Sequence, residues 1–300
     1  MISIFTPATT ANLGSGFDIL GAALDFGNEL EVYPGHPFSI SIAGEGSTTL
    51  PRGTGSLIYR AYTRVFELSG EEPIEASFVC RNRIPLSRGL GSSAAAAAAG
   101  ALAACLVKGS EDIECALAVA LELEGHPDNV IPCFRGGIQL CYANDGGWES
   151  VSLPVPEGVA IALVVPRQRL STSAARKALG SRVTLAQATF NMARVGLFVY
   201  ALESGRLEIL KEATRDAIHQ SKRLALIKHA SAVLDRLGRD ERCLGGWLSG
   251  AGSTLAFLVG ERDIQAFCEE AEDVCRAEGL DARVLETRFS SKGASVLSNG

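Results

Sequence analysis

No run of about 20 apolar residues, the length a membrane span needs, occurs in the 300-residue chain. The longest apolar run, Ala94 to Val107, is short and mostly alanine, and is expected to be a buried helix; no membrane partner is expected. Proline is scarce, 11 residues against 32 glycines, and charged residues make up 21% beside 47% hydrophobic ones. That is the composition of a globular chain, which excludes disordered and fibrous classes. The 8 cysteines (Cys80, Cys105, Cys115, Cys133, Cys141, Cys243, Cys268, Cys275) include no C-x-x-C pair. Zinc and thioredoxin-like sites therefore lack their spacing, and the thiols are expected to be reduced core residues of a cytoplasmic protein. Positive charge is in the minority, 28 Lys and Arg against 34 Asp and Glu, for a net charge of −6. Without a global positive field no nucleic-acid partner is expected, and a bound phosphate must be held locally. There is no internal repeat. The opening Met1-Ile2-Ser3-Ile4-Phe5-Thr6-Pro7 has no basic region followed by an apolar stretch, so a first strand is expected there and not a signal peptide.

What is present is alternation of β-rich and helical patterns. Ile2–Phe5, Glu29–Tyr33, Phe38–Ile42 and Glu75–Cys80 predict strands of a mostly antiparallel sheet. Helical spacing predicts helices over Leu57–Leu68, Ser92–Leu106 and Ile113–Glu124, the last ended by Gly125 and Pro127. Two prolines and a glycine between Pro154 and Gly158 precede a buried strand, Val159–Val165, which places a domain boundary near residue 155 and divides the chain into 1–155 and 156–300. Beyond it the pattern predicts helices near Leu185–Glu203, Arg206–Ala217 and Ala225–Leu237, a strand near Trp247–Val259, a helix Ile264–Glu278 and a last strand Ala282–Glu286. That order predicts an α+β second domain.

The most informative segment is Pro85-Leu86-Ser87-Arg88-Gly89-Leu90-Gly91-Ser92-Ser93-Ala94-Ala95. Glycines permit a tight turn and close approach, hydroxyls follow, and a strong helix former begins at once, so free N–H groups and the positive end of a helix dipole converge on one point. This is a phosphate cradle in physical terms; the plainer alternative is a serine-capped glycine turn ahead of a core helix. It is not a Walker A loop, because Ser92 and not lysine follows Gly91. It fits the dinucleotide pattern G-x-G-x-x-G/A only loosely and lies too far along the chain for a Rossmann unit. Pro7 to Asp18 is a second polar, glycine-bearing loop, and Ser249-Gly250-Ala251-Gly252-Ser253-Thr254 a third glycine-rich turn.

Taken together, these segments resemble the signature motifs of the GHMP kinases, and within them most nearly the homoserine kinases. Pro7-Ala8-Thr9-Thr10-Ala11-Asn12-Leu13-Gly14-Ser15-Gly16-Phe17-Asp18 is similar to that family's P-A-T-S-A-N-L-G-x-G-F-D. Pro85–Ala95 resembles its P-L-x-x-G-L-G-S-S-A-A, and Glu124-Gly125-His126-Pro127-Asp128-Asn129-Val130 its E-G-H-P-D-N-V. The resemblance implies ATP-dependent phosphorylation of the L-homoserine hydroxyl to O-phospho-L-homoserine, on the route to threonine. It also implies an α+β, two-domain GHMP kinase fold, an N-terminal α/β domain with a mostly antiparallel sheet and a C-terminal ferredoxin-like α/β sandwich, with the site in the cleft between them. A homodimer is compatible with it.

By position, the resemblance assigns Pro85, Ser87, Arg88, Gly89, Leu90, Gly91, Ser92, Ser93, Ala94 and Ala95, with Gly250 and Gly252, to the ATP phosphates. Ser93 and Glu124 become the Mg²⁺ ligands, in keeping with a hard cation that takes one or two protein oxygens beside phosphate. Asn12, Asp18, His126 and Asp128 meet the amino and hydroxyl ends of the substrate, and Arg176 and Arg223 its carboxylate, which suits a planar guanidinium fork. Asp128, Asn129 and Glu124 form the catalytic set, with Asp128 orienting the hydroxyl. The chain departs from the family in three places. Ser56 stands where an asparagine is usual near the adenine, Ser253 replaces the proline of S-G-A-G-P-T, and Leu226-Ile227-Lys228-His229 replaces L-I-P-G. Another GHMP kinase acting on a different small alcohol, or a nucleotide-binding sensor without turnover, are the alternatives.

Overall fold

A computed structural model describes residues 1–110 and 112–297. The first half is a seven-stranded sheet built on one long strand. β1 (Ile2–Ala11) runs antiparallel to β2 (Leu20–Pro34), whose 15 residues reach past the end of any single neighbour. The last residues of β2 pair with β4 (Ala76–Asn82), and its first with β5 (Ile138–Asn144), which forms a hairpin with β6 (Gly147–Leu153). β3 (Ser39–Gly44) joins β4 as the one parallel pair of this sheet, so the expected mostly antiparallel character holds.

Helices cover one face, and the central one has no polar side to solvate. In α2 (Ser92–Val107) 11 of the 16 residues are buried, mostly alanines, so its backbone approaches its neighbours closely. A Cβ on Gly100 would lie 2.1 Å from the Ile58 carbonyl oxygen of α1 (Leu57–Leu68), which shows how near those two helices run. Tyr59 and Tyr62 of α1 reach over to Phe78 of β4, edge to face at 6.2 and 5.2 Å. Asp112 caps α3 (Ile113–Glu124) through Cys115 N–H at 3.0 Å, and Gly125 ends it in the left-handed conformation. Pro127 does more than stop that helix: it opens α4 (Pro127–Arg135) at a position where its missing N–H would have had no helical partner.

The second half is a four-stranded antiparallel sheet of β7 (Val159–Pro166), β8 (Cys243–Leu248), β9 (Leu255–Gly260) and β10 (Ala282–Thr287), in the order β10-β7-β9-β8. With a helical connection before β8 and a further helix (Ile264–Glu278) before β10, the order is ferredoxin-like. Every residue of β7 is buried, which a half-solvated strand would not require. Its alternate side chains explain it: Val159, Ile161, Leu163 and Val165 enter the core shared with the first half, while Ala160, Ala162 and Val164 face a second core with the helices behind. The chain after β10 then returns to the first sheet, where β11 (Ser295–Val296) pairs with β1.

Several expected elements differ. The single strand near Trp247–Val259 is the β8–β9 hairpin, with the Ser249–Thr254 glycine turn as its connection. Thr172–Lys177 is a short helix, α5, and Leu185–Ser204 is α6, opened by a capping box between Thr184 and Gln187. The helix expected over Arg206–Ala217 is a 3₁₀ turn at Leu207–Ile209 followed by only α7 (Leu210–Ala213). It stops there because the Asp216 carboxylate takes the N–H groups of His219 and Gln220, at 2.8 and 2.7 Å, and starts α8 (Gln220–Leu224) instead. The helix expected from Ala225 begins only at Ala230, as α9 (Ala230–Arg239), after His229 adopts φ +66° where the family motif carries glycine. Ile264–Glu278 is α10. Six of the eight cysteines are buried, all eight are free thiols, and Cys115 and Cys268 are half-buried. No helix among the described residues is long and apolar enough to cross a membrane.

Candidate active site

A cavity of about 610 Å³ opens between the two halves and is lined by all three glycine-bearing segments. The phosphate loop owes its shape to the contacts around it as much as to its own φ angles. Gly91, at φ +67°, and not a serine, is the N-cap of α2, and no side chain caps that helix, so its first N–H groups stay open toward the cavity. Gly89, at φ +73°, lies so near the hairpin turn that a Cβ would fall 2.0 Å from the Ser249 carbonyl oxygen. That turn braces the loop through Ser249 Oγ, which donates to Gly89 O at 2.6 Å, and Thr254 N–H, which donates to Arg88 O at 3.2 Å. From β1, Thr9 N–H donates to Leu90 O at 3.2 Å.

A Cβ on Gly91 would fall 1.9 Å from Thr9 Oγ1, which itself donates to Asn129 Oδ1 at 2.8 Å. Gly91→Ala is therefore expected to raise KM for ATP by about tenfold or more, with KM for the acceptor less affected. Strain at positive φ should lower unfolding stability by roughly 1–3 kcal/mol in urea titration.

Not every residue assigned to the phosphates faces the cavity. Pro85, Ser87, Arg88, Gly89, Leu90, Gly91, Ser92, Ser93, Ala95 and Gly250 line it, whereas Ala94 and Gly252 do not. Ala94 points into the core, and Gly252 spends its N–H on Ser249 O within the turn. The Arg88 guanidinium is committed elsewhere: it donates to the carbonyls of Pro166, Leu86 and Arg167 at 2.7, 3.0 and 3.0 Å, which ties the loop to the end of β7. A second arginine, Arg169, also lines the cavity.

At the end of α3, Glu124 accepts from Ser93 Oγ at 2.6 Å. Burial raises its pKa, and the Ser93 hydroxyl only partly offsets this. The pair offers hard oxygens alone, the donor chemistry of Mg²⁺. Among the described residues no group of three or more His, Cys, Asp or Glu could hold a metal unaided, so phosphate oxygens would have to complete the shell.

The same cavity is also lined by charged side chains. Asp128, in the first turn of α4, is 4% exposed, and burial first, then the nearby Asp18 charge, pushes its pKa up from 3.8 to about 7. Asn129 Nδ2 donates to it at 3.2 Å. Gly21 of β2 permits this depth, since a Cβ there would lie 1.7 Å from the Asp128 carbonyl oxygen. Asp18 and Arg176 form a bidentate pair at 2.8 and 3.1 Å. Asn12 holds the loop that carries Asp18: its Oδ1 accepts from Asp18 N–H at 3.1 Å while its Nδ2 donates to Gly250 O at 2.8 Å. Arg223, 2% exposed, donates to the same Gly250 oxygen at 3.0 Å and lines the cavity. His126, half-buried beside these charges, is shifted down by burial and then by Arg176.

Most of the candidate residues thus converge on one cavity. A family model for the GHMP kinases N terminal domain matches residues 56–137. A homoserine kinase of Aquifex aeolicus is 36% identical over 299 residues, 99% of this chain and 100% of that one. The chain belongs to the homoserine kinase family. A homoserine kinase of Thermus thermophilus is 42% identical over 257 residues, covering 85% of this chain and 86% of the relative. The crystal structure of a homoserine kinase from Cytophaga hutchinsonii superposes with a TM-score of 0.87 at 27% identity, over 99% of this chain and 97% of that one. The two-sheet α+β architecture is therefore that of the GHMP kinases, and its members use ATP.

Sequence reasoning did not single out Phe17 or His219, whose rings stack with centroids 5.2 Å apart. Both stand inside motifs that were singled out for their neighbours, Asp18 and Arg223. The spacing of His219 from Arg223, four residues, is a signal for side chains that meet.

Proposed function

We propose that this chain transfers the γ-phosphoryl group of ATP to the hydroxyl of L-homoserine, giving O-phospho-L-homoserine. The observation that carries the reading is one cavity lined both by the open N-terminus of α2 and by Asp128, the Asp18–Arg176 pair and Arg223. The first is complementary to phosphate and the second set to a zwitterionic amino acid with a hydroxyl.

Phosphoryl transfer asks a protein mainly for positioning and charge neutralisation. The amides of Gly91, Ser92 and Ser93 and the α2 dipole offer both to the phosphates. Ser93 and Glu124 would hold Mg²⁺, which supplies charge neutralisation on the phosphate oxygens when bound. Asp18 takes the substrate ammonium, while Arg176 and Arg223 take the carboxylate. Asp128 accepts the hydrogen bond of the substrate hydroxyl and so aims its oxygen, and Asn129 and Thr9 fix the Asp128 side chain.

Arg176→Ala is expected to raise KM for L-homoserine by about 10²-fold, the loss of a bidentate charged contact, with KM for ATP changed by less than about threefold. Equal effects on the two would remove Arg176 from the carboxylate. The test of the whole reading is ADP release with Mg-ATP across L-homoserine, mevalonate, galactose and no acceptor, with mass detection of product. Release that requires homoserine, with O-phosphohomoserine formed, is the expected result. Turnover with another acceptor would keep the phosphate loop and discard the arginine assignments.

A further inference from the structure

We infer that Phe17 is a positioning residue for substrate recognition: its ring is a common platform that holds the guanidinium groups of Arg176 and Arg223 in register for one carboxylate. The inference rests on the proposed reading of that arginine pair. The centre of the Arg223 guanidinium lies 5.1 Å from the Phe17 ring centroid and that of Arg176 lies 5.8 Å away, both within reach of the ring quadrupole. Neither guanidinium is fully held by hydrogen bonds, since the Nε atoms of both are buried without a partner. Two like charges brought together in this way need attractions that reach both: Asp18 pairs directly with Arg176 and acts on Arg223 through its charge, and the Phe17 ring lies within reach of both guanidinium groups.

The ring is itself fixed in place. Phe17 sits in a loop closed by Asn12 N–H to Leu20 O at 2.7 Å and by Gly16 N–H to Asn12 O at 2.9 Å. Its ring stacks on His219 with centroids 5.2 Å apart and planes 30° from parallel. His219 is fully buried, and its Nε2 lies 2.8 Å from the Gly14 carbonyl oxygen, which can only accept. Nε2 therefore carries the proton and Nδ1 presents a lone pair, which faces Arg223 Nη1 at 3.5 Å. Asp216 anchors the start of that turn through the His219 N–H, and Asn191 Nδ2 donates to Asp216 Oδ1 at 2.7 Å. Phe17 is half-buried and lies outside the residues that line the cavity, so its effect on substrate must pass through the arginines it supports.

The test is steady-state kinetics and calorimetric binding of L-homoserine to the full-length chain carrying Phe17→Leu, Phe17→Tyr, Arg223→Lys, and Phe17→Leu with Arg223→Lys. Phe17→Leu should raise KM and Kd for L-homoserine about tenfold, with kcat lowered less than about threefold and KM for ATP unchanged. Phe17→Tyr, which keeps the ring, should restore both. In the Arg223→Lys background the leucine substitution should have a clearly smaller effect, because the group it acts through is already altered. An unchanged KM for homoserine, an equal rise in KM for ATP, or full additivity in the double variant would overturn the proposal. Should Phe17→Leu fail to fold in a thermal melt, Phe17→Met keeps more of the volume and carries the same expectation. Failure of the unsubstituted chain to bind L-homoserine would overturn the proposed function itself, and this inference with it.

Discussion

Asp128→Asn is expected to lower kcat by at least about 10²-fold while making the protein more stable at pH 8. Both effects have one origin. The Asp128 carboxyl is buried beside the Asp18 charge, and its pKa stands at about 7 against an ordinary 3.8. Between those values the unfolded chain has already released a proton that the folded chain still binds. Stability therefore falls as pH rises through that window, and the full penalty stands above pH 7. A difference of some three units, at about 1.36 kcal/mol each, sets a ceiling of about 4 kcal/mol. Asparagine has the same shape and never ionises, so its advantage should be near zero at pH 4, grow toward pH 7 and then level off. Urea unfolding of both proteins at pH 4, 6 and 8 measures it. The matching kinetic signature is an acid limb near pH 7 in kcat/KM that disappears in the variant. A stability difference that does not depend on pH would contradict the buried, late-ionising carboxyl.

The second large effect is expected from Glu124. Glu124→Ala removes the carboxylate that accepts from Ser93 Oγ at 2.6 Å and leaves a hydroxyl as the only protein oxygen of the proposed metal pair. Turnover should fall about 10²-fold or more, with a matching rise in the Mg²⁺ concentration needed for half-maximal rate. The fold should survive, because burial disfavours the charged form of this side chain and its removal relieves that cost. Glu124→Gln separates charge from shape: it keeps the volume, and should lose activity almost as fully if the charge is what matters. Activity near the original level with an unchanged magnesium requirement would take Glu124 out of the site.

These two residues show what kind of information each level carried. The glycine loop was legible in the sequence because local chemistry demands it, since a helix N-terminus aimed at an anion needs glycine at positive φ, whereas Glu124 and Asp128 were legible only through the resemblance of their motif to the family's. The alanine-rich helix was legible for a similar reason, since a segment without a polar face has nowhere to go but the core. The sequence by itself thus determined the glycine loop ahead of α2, the family, the α+β class and most of the helices. It did not show the role of Arg88, whose guanidinium folds back onto the Leu86 carbonyl of its own loop and onto two carbonyls at the end of β7. Nor could it separate Ala94 and Gly252 from their cavity-lining neighbours, because a shared motif does not say which way each residue points. The uninterrupted apolar run Val159–Val165 was legible as a buried strand, but what covers each of its faces was not. Only the tertiary structure, by packing a separate core against each face of β7, required both faces to be apolar. The same holds for the broken helix after Arg206, where one buried carboxylate outcompetes helix propensity, and for the meeting of Asp18 with Arg176. Those two residues lie 158 positions apart, and the pair exists only because the sheet and the loops between the two halves close on one another.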